Sequence, residues 1–193
     1  SGFRMYCGGA CEYFGIHPDI AVFAKGMGNG YPVAAIIGKK KFMDAAQDSF
    51  ISSTFWTERV GFAAAIATIK KYKENKVHEH MNRLGKRVQE GWVDLAKKHG
   101  LAVHLSGIYP LGHIGFEVAP LELKTLFVQE MLRRGFLTSD AYYASFAHKD
   151  EHIEAYLAAC DEVFAIMAKA VRDNNITDLL EGPVCQGGFA RLA

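Results

Sequence analysis

Apolar positions along the chain change their spacing twice. Up to residue 56 they come in short runs between glycine-rich turns. Residues 20–24 (IAVFA) and 33–38 (VAAIIG) predict buried strands, and KGMGNGYP at 25–32 predicts a turn between them. A short helix is expected over 40–47. From Thr57, an N-cap candidate followed by Glu58, the spacing becomes three and four: Phe62, Ile66, Ile69, Tyr72, Val77, Met81, Leu84, Val88, Trp92 and Leu95. That pattern predicts one or two long helices, with a break near 74–77 and a stop at Gly100. Two strands are then expected at 102–105 and 113–118, separated by SGIYPLG. A helix at 121–134 closed by Gly135, a short strand or extended piece at 136–138 and a helix at 150–174 follow, the last carrying Ile153, Tyr156, Leu157, Val163, Phe164, Met167 and Val171. The tail to residue 193 has loop character.

Two modules and a connection follow from this pattern. Residues 1–56 are strand-rich but hold too few strands for a layered domain of their own. Residues 57–99 form a connecting helical region, and 100–193 a compact α+β unit. The chain opens on Ser-Gly-Phe-Arg without a methionine and reads as the continuation of a longer protein.

Composition narrows the function classes. Half of the 193 residues are apolar, enough for a sizeable core, and 22 Lys+Arg against 21 Asp+Glu leave a net charge of +1. A balanced charge argues against a nucleic-acid or membrane-surface protein, which needs a basic face. No apolar run approaches the roughly 18 residues of a membrane span. Cys7, Cys11, Cys160 and Cys185 are too few for a disulfide scaffold and are expected to be reduced thiols of a cytoplasmic protein.

GMGNG suggests a dinucleotide-binding loop, but that fingerprint must lead from a strand into a helix, and here it leads into a second apolar run. Lys25 carries more chemistry. A lysine at a strand end, held against apolar surface, loses solvation of its charged form and exposes a nucleophilic amine able to form a Schiff base. Spacing alone favours the other reading, a strand-end lysine that points its ammonium to water. His148 and His152 are four apart without a third ligand, and Cys7 and Cys11 have no partner pair, so no metal site is expected. His78 and His80 fall in a charged stretch and are expected to be solvated. Trp56 and Trp92 suit a core or a subunit interface.

DIAVFAKGMGNGYPVAAIIG, flanked by SGFR, YFGIHPD and SSTFWTE and followed later by GFLTSDAYYASFAHKDEHIEAYLAACDEVF and GGFARL, closely resembles the class III aminotransferases. The nearest likeness is to their glutamate-1-semialdehyde aminomutase-like branch. The resemblance implies the α/β fold type I of pyridoxal-phosphate enzymes, with residues 1–56 ending the large cofactor-binding domain and 100–193 forming the C-terminal small domain. It implies pyridoxal 5'-phosphate as cofactor, Lys25 as the lysine that binds it and later acts as base, and Thr54 as a phosphate ligand shared across a homodimer. Ser53 stands beside it where many relatives have glycine. Gly28 and Gly30 would let backbone pass close to the cofactor. An aspartate that pairs with the pyridine nitrogen would lie upstream of Ser1. Tyr142 and Tyr143 match a substrate-side segment, shorter here than in the aminomutase and without its glutamate, for which Asp140 is a substitute. Amino transfer between a small-molecule donor and a carbonyl acceptor is therefore expected. A 2,1-aminomutase and a non-catalytic dimerisation module are the alternatives.

Overall fold

A computed structural model of the chain describes residues 2–52 and 54–188. It divides into two compact units, Ser1–His80 and Met81–Ala193. The division falls inside the helical region expected to connect two modules.

The first unit opens with two short helices, α1 (Gly2–Met5) and α2 (Gly9–Tyr13). Strands β1 (Ile20–Phe23) and β2 (Ala35–Gly38) pair antiparallel, with Val22 opposite Ile36 and Phe23 opposite Ala35. Helix α3 (Lys40–Met43) passes into a 3₁₀ turn at Asp44–Asp48, so the helix expected at 40–47 changes type halfway. Helix α4 (Val60–Glu74) follows, and the helical run breaks where expected, before α5 (Val77–His99). Lys76 at the break has φ +47°, which ends one helix and lets the next begin.

The face α4 turns inward is not the one its large apolar residues predict. Gly61, Ala65 and Tyr72 are buried, whereas Phe62 and Ile66 are exposed, Ile66 by 70%. Small residues let α4 approach the rest of the unit closely: a Cβ on Gly61 would stand 3.1 Å from Val33 Cβ. Tyr72 ties α4 to α1, its hydroxyl donating to Phe3 O at 2.6 Å with the rings 4.5 Å apart. His78, expected in solvent, stacks on Tyr72 and meets Tyr6 edge-on.

The second unit is built on a three-stranded antiparallel sheet, β3 (Val103–Ile108), β4 (Leu111–Phe116) and β5 (Ala141–Tyr143), in the order β3-β4-β5. Helix α6 (Pro120–Arg133) joins β4 to β5, and α7 (Asp150–Arg172) follows. Strands β3 and β4 run into the stretch expected to be loop, because the glycines there belong to the ladder. Gly107 pairs with Gly112 and takes φ +90°, where a Cβ would meet Leu111 O at 2.3 Å. The extended piece expected at 136–138 is not a strand; pairing begins three residues later, at Ala141 opposite His113.

Every second residue of β4 is buried against the helices. Ile114 and Phe116 are buried with Leu84, Val88 and Trp92 of α5, Leu126 and Phe127 of α6, and Val163, Phe164 and Met167 of α7. Phe116, Phe127 and Phe164 form a triangle with centroids 6.0–6.2 Å apart, a spacing that favours tilted and edge-on ring contacts. Each such buried side chain contributes about 1.5–3 kcal/mol. Gly100 ends α5 with φ +73° and lets Leu101 N reach back to Ala96 O at 2.9 Å; Gly135 does the same for α6 at φ +83°. All four cysteines are free thiols. Among the described residues, no helix is long and apolar enough to cross a membrane, and no three His, Cys, Asp or Glu side chains gather to hold a metal ion.

Candidate active site

Lys25 begins a 3₁₀ turn, Lys25–Met27, immediately after β1 and the extended Ala24. Its backbone is left-handed, at φ +51°, and the next non-glycine in that region is Asn29 at φ +45°. A left-handed L-residue costs about 1–2 kcal/mol, so the turn around it must be over-determined. Successive bonds do this: Met27 N donates to Ala24 O, Gly28 N to Lys25 O, Asn29 N to Gly26 O and Tyr31 N to Gly28 O, at 3.1–3.3 Å. Met27 is the buried anchor of the turn. Lys25 itself is exposed, as the reading of a lysine that points to water has it, and among the described residues its amine has no hydrogen-bond or ion-pair partner.

Gly28 is required by the turn itself. It is buried, and a Cβ there would meet Tyr31 O at 2.3 Å and Val33 Cγ1 at 2.7 Å. Gly30 takes φ +107°, open to glycine almost alone. Gly26 faces the ring of Phe3, where a Cβ would come within 3.3 Å of Cδ1. The lysine is thus carried on a turn packed against α1 on one side and, through Val33 and Gly61, against α4 on the other.

Thr54 lies exposed in an irregular turn, six residues before α4 begins. Ser53 lies outside the described residues. The helix start is not open to a phosphate: Glu58 caps it, its carboxylate accepting from Val60 N and, at 3.1 Å, from Gly61 N. The sequence pointed instead to Thr57 as N-cap. The two-oxygen carboxylate satisfies two N–H groups where a hydroxyl satisfies one, and its negative charge suits a helix N-terminus.

Tyr142 and Tyr143 belong to the second unit and, as neighbours in β5, point to opposite sides of the sheet. Tyr143 is 55% exposed. Tyr142 is half-buried, with its ring near Tyr156 and its oxygen 3.0 Å from His148 Nδ1. Asp140 is taken up by an ion pair with Lys124 at 3.0 Å. His148 had no role in the sequence reading beyond the excluded metal pair, and its six-residue separation from Tyr142 falls across a loop where periodicity gives no contact.

A sequence model described as Aminotransferase class-III matches residues 5–160. The chain belongs to the class III aminotransferase family. It is 32% identical to the 2'-deamino-2'-hydroxyneamine transaminase of Streptomyces kanamyceticus over 168 residues, covering 84% of this chain and 43% of that protein. It is 31% identical to the glutamate-1-semialdehyde 2,1-aminomutase of Psychrobacter cryohalolentis over 192 residues, covering 88% of this chain and 44% of that protein. Among solved structures, the PLP internal aldimine form of the FumI protein of Sphingopyxis sp. MTA144 matches with a TM-score of 0.81 at 28% identity, over 89% of this chain and 42% of that one. The class III chain therefore has the α/β fold of these enzymes across most of its length, and it spans under half the length of the relatives it matches.

Proposed function

We propose that the protein is a pyridoxal-phosphate-dependent aminotransferase, moving an amino group from a small-molecule amino acid or amine to a carbonyl acceptor, with Lys25 at its centre. The observation that carries this is the exposed amine of Lys25, without a hydrogen-bond or ion-pair partner among the described residues, on a left-handed turn at the end of β1. The residue fits the cofactor, because a Schiff base with an aldehyde needs a primary amine, and among the described residues no other group occupies that of Lys25. When bound, pyridoxal phosphate supplies an aldehyde for amine exchange and a ring that takes up electron density from the substrate carbon.

Lys25 Nζ would hold the cofactor aldehyde, and the same amine is placed to take up and return a proton of the substrate carbon. The rigid turn holds that amine in one place. Thr54 would donate its hydroxyl to the cofactor phosphate, and Ser53, its neighbour in sequence, is the second candidate there. Tyr142 and Tyr143 serve the substrate side, one from each face of β5.

Residues 1–56 end a large cofactor-binding domain, 57–99 connect, and 100–193 form the small domain. A homodimer completes the site. Supporting this, Phe50 is 96% exposed in the same stretch as Thr54, and Phe55, Trp56, Phe62 and Ile66 are exposed with it, a load of apolar surface that a symmetric interface would cover. Four free thiols accord with a cytoplasmic location.

A second reading, a 2,1-aminomutase, is supported by the likeness to the Psychrobacter enzyme. Release of the donor's keto acid separates the two, since an aminomutase turns over one substrate without exporting it.

Borohydride reduction of the full-length protein in the presence of pyridoxal phosphate, followed by peptide mapping, tests the proposal. A pyridoxyl group on Lys25 is expected. An unmodified Lys25, or modification confined to other lysines, overturns it.

A further inference from the structure

In the second unit a cavity of about 420 Å³ lies between the 136–143 segment and the start of α7. That volume suits a small ligand. Phe136, Tyr142 and Tyr156 line it with rings, Thr138 and Tyr142 with hydroxyls, His148 and His152 with imidazoles. No Lys, Arg, Asp or Glu is among its lining residues.

Both imidazoles are fixed in one tautomer. His148 Nδ1 accepts from Ser145 N at 3.3 Å, and His152 Nδ1 accepts from Lys149 N at 3.2 Å. A backbone N–H only donates, so each Nδ1 carries a lone pair and each neutral ring carries its hydrogen on Nε2. The Tyr142 hydroxyl, 3.0 Å from His148 Nδ1, is therefore the donor in that pair and keeps lone pairs with which to accept. Burial pushes Tyr142 up to about 12, so it remains a hydroxyl at neutral pH.

Ring faces, neutral donors and acceptors, no Lys or Arg among the lining residues and the Glu151 carboxylate 3.8 Å from His152 Nε2 make a poor site for a carboxylate or phosphate, whose lost hydration nothing there would offset. They suit a neutral ring bearing several hydroxyls, each of which both donates and accepts, while its C–H edges lie against the aromatic faces. We propose that this cavity binds a neutral polyhydroxylated ring of the cyclitol or sugar class, with Tyr142 as its central hydrogen-bonding residue. The inference rests on the substrate-side role given to Tyr142 above and names the ligand class; its test reads the cavity of the second unit without Lys25 or the cofactor, so the two can fail separately.

Saturation-transfer NMR on the full chain, with myo-inositol and methyl glucoside as probes and glutarate as the anionic control, tests it. Saturable transfer to the ring C–H protons is expected for the two neutral probes and none for glutarate. Tyr142→Phe keeps the ring and the wall of the cavity, and should weaken binding about fivefold, the worth of one hydrogen bond. Thr138→Val, which removes a second hydroxyl without changing volume, should do the same if the first variant does not fold. Absence of saturable transfer, as when another segment of a longer chain fills the cavity, overturns the proposal. Equal binding of glutarate, or unchanged affinity in a folded Tyr142→Phe or Thr138→Val, overturns it as well.

Discussion

Gly85 of α5 lies against the carbonyl of Tyr109: a Cβ at Gly85 would stand 1.8 Å from that oxygen and 2.4 Å from its carbon. The turn between β3 and β4 is thus seated directly on the helix backbone, and Gln89, one turn on, donates to Ile108 O at 3.0 Å. In a free helix, Gly→Ala stabilises by about 1 kcal/mol. Here the added methyl must push the turn away, so Gly85→Ala should destabilise by about 1–3 kcal/mol, as overpacking does. Urea denaturation of the two proteins checks the sign, and a stabilised variant would refute the contact.

That contact marks where the sequence stops being informative. Helices α5 and α7 were legible because their apolar residues recur at helical spacing and face one core: Leu84, Val88 and Trp92 on one, Ile153, Val163 and Phe164 on the other. The stop at Gly100 and the break before Val77 were legible for the same local reason. Gly85 carries no signal in the sequence, since its reason is a carbonyl 24 residues away. Phe62 and Ile66 misled in the other direction, because spacing says which residues share a face but not which face the protein covers. The motif around Lys25 singled it out in the sequence, but neither its left-handed backbone nor the lack of a partner for its amine among the described residues could be read there. Tyr142 and His148 meet through loop geometry that no period encodes.

Glu130 is a charge buried to 6% exposure, and it is held by Arg133 at 2.5 Å and Arg134 at 3.0 Å. Burial alone would raise its carboxyl, but hydrogen bonds from Arg134 and Gln129 and the charges of both arginines outweigh that and hold it below the usual carboxylate value of 4.5. A depressed folded-state value means stability that is present above the unfolded value and lost as pH falls through the folded one. Glu130→Gln should therefore cost about 1–3 kcal/mol at pH 7, with the gap to the parent closing as pH drops below 4.5. Arg133 and Arg134 keep Glu181 and Glu162 as second partners, which limits the loss. Denaturation midpoints across pH 3–7 measure it; a gap that stays constant with pH would sink the assignment.

Replacing Lys25 separates chemistry from stability. Its amine has no partner to lose among the described residues, so Lys25→Ala should change stability by no more than about 0.5 kcal/mol, the range of an exposed substitution. The same change should abolish amine exchange in the full-length protein. Thermal melts and a donor-to-acceptor assay are read side by side. Retained exchange, or a large fall in melting temperature, would show that the residue serves the fold and not the reaction.

The start of α4 offers the last test. Glu58 accepts from two backbone N–H groups there, whereas Thr57, the residue the sequence favoured as cap, makes no such bond. Loss of an N-terminal capping acceptor costs about 0.5–2 kcal/mol. Glu58→Ala should fall in that range and Thr57→Ala should be close to neutral. Gly61 sits within the capped turn and packs on Val33, so a frayed α4 would also loosen the turn that carries Lys25. Amide hydrogen exchange should then rise at 60–63 and at 25–33 in Glu58→Ala, and in neither stretch in Thr57→Ala. Faster exchange in the threonine variant instead would return the capping role to Thr57.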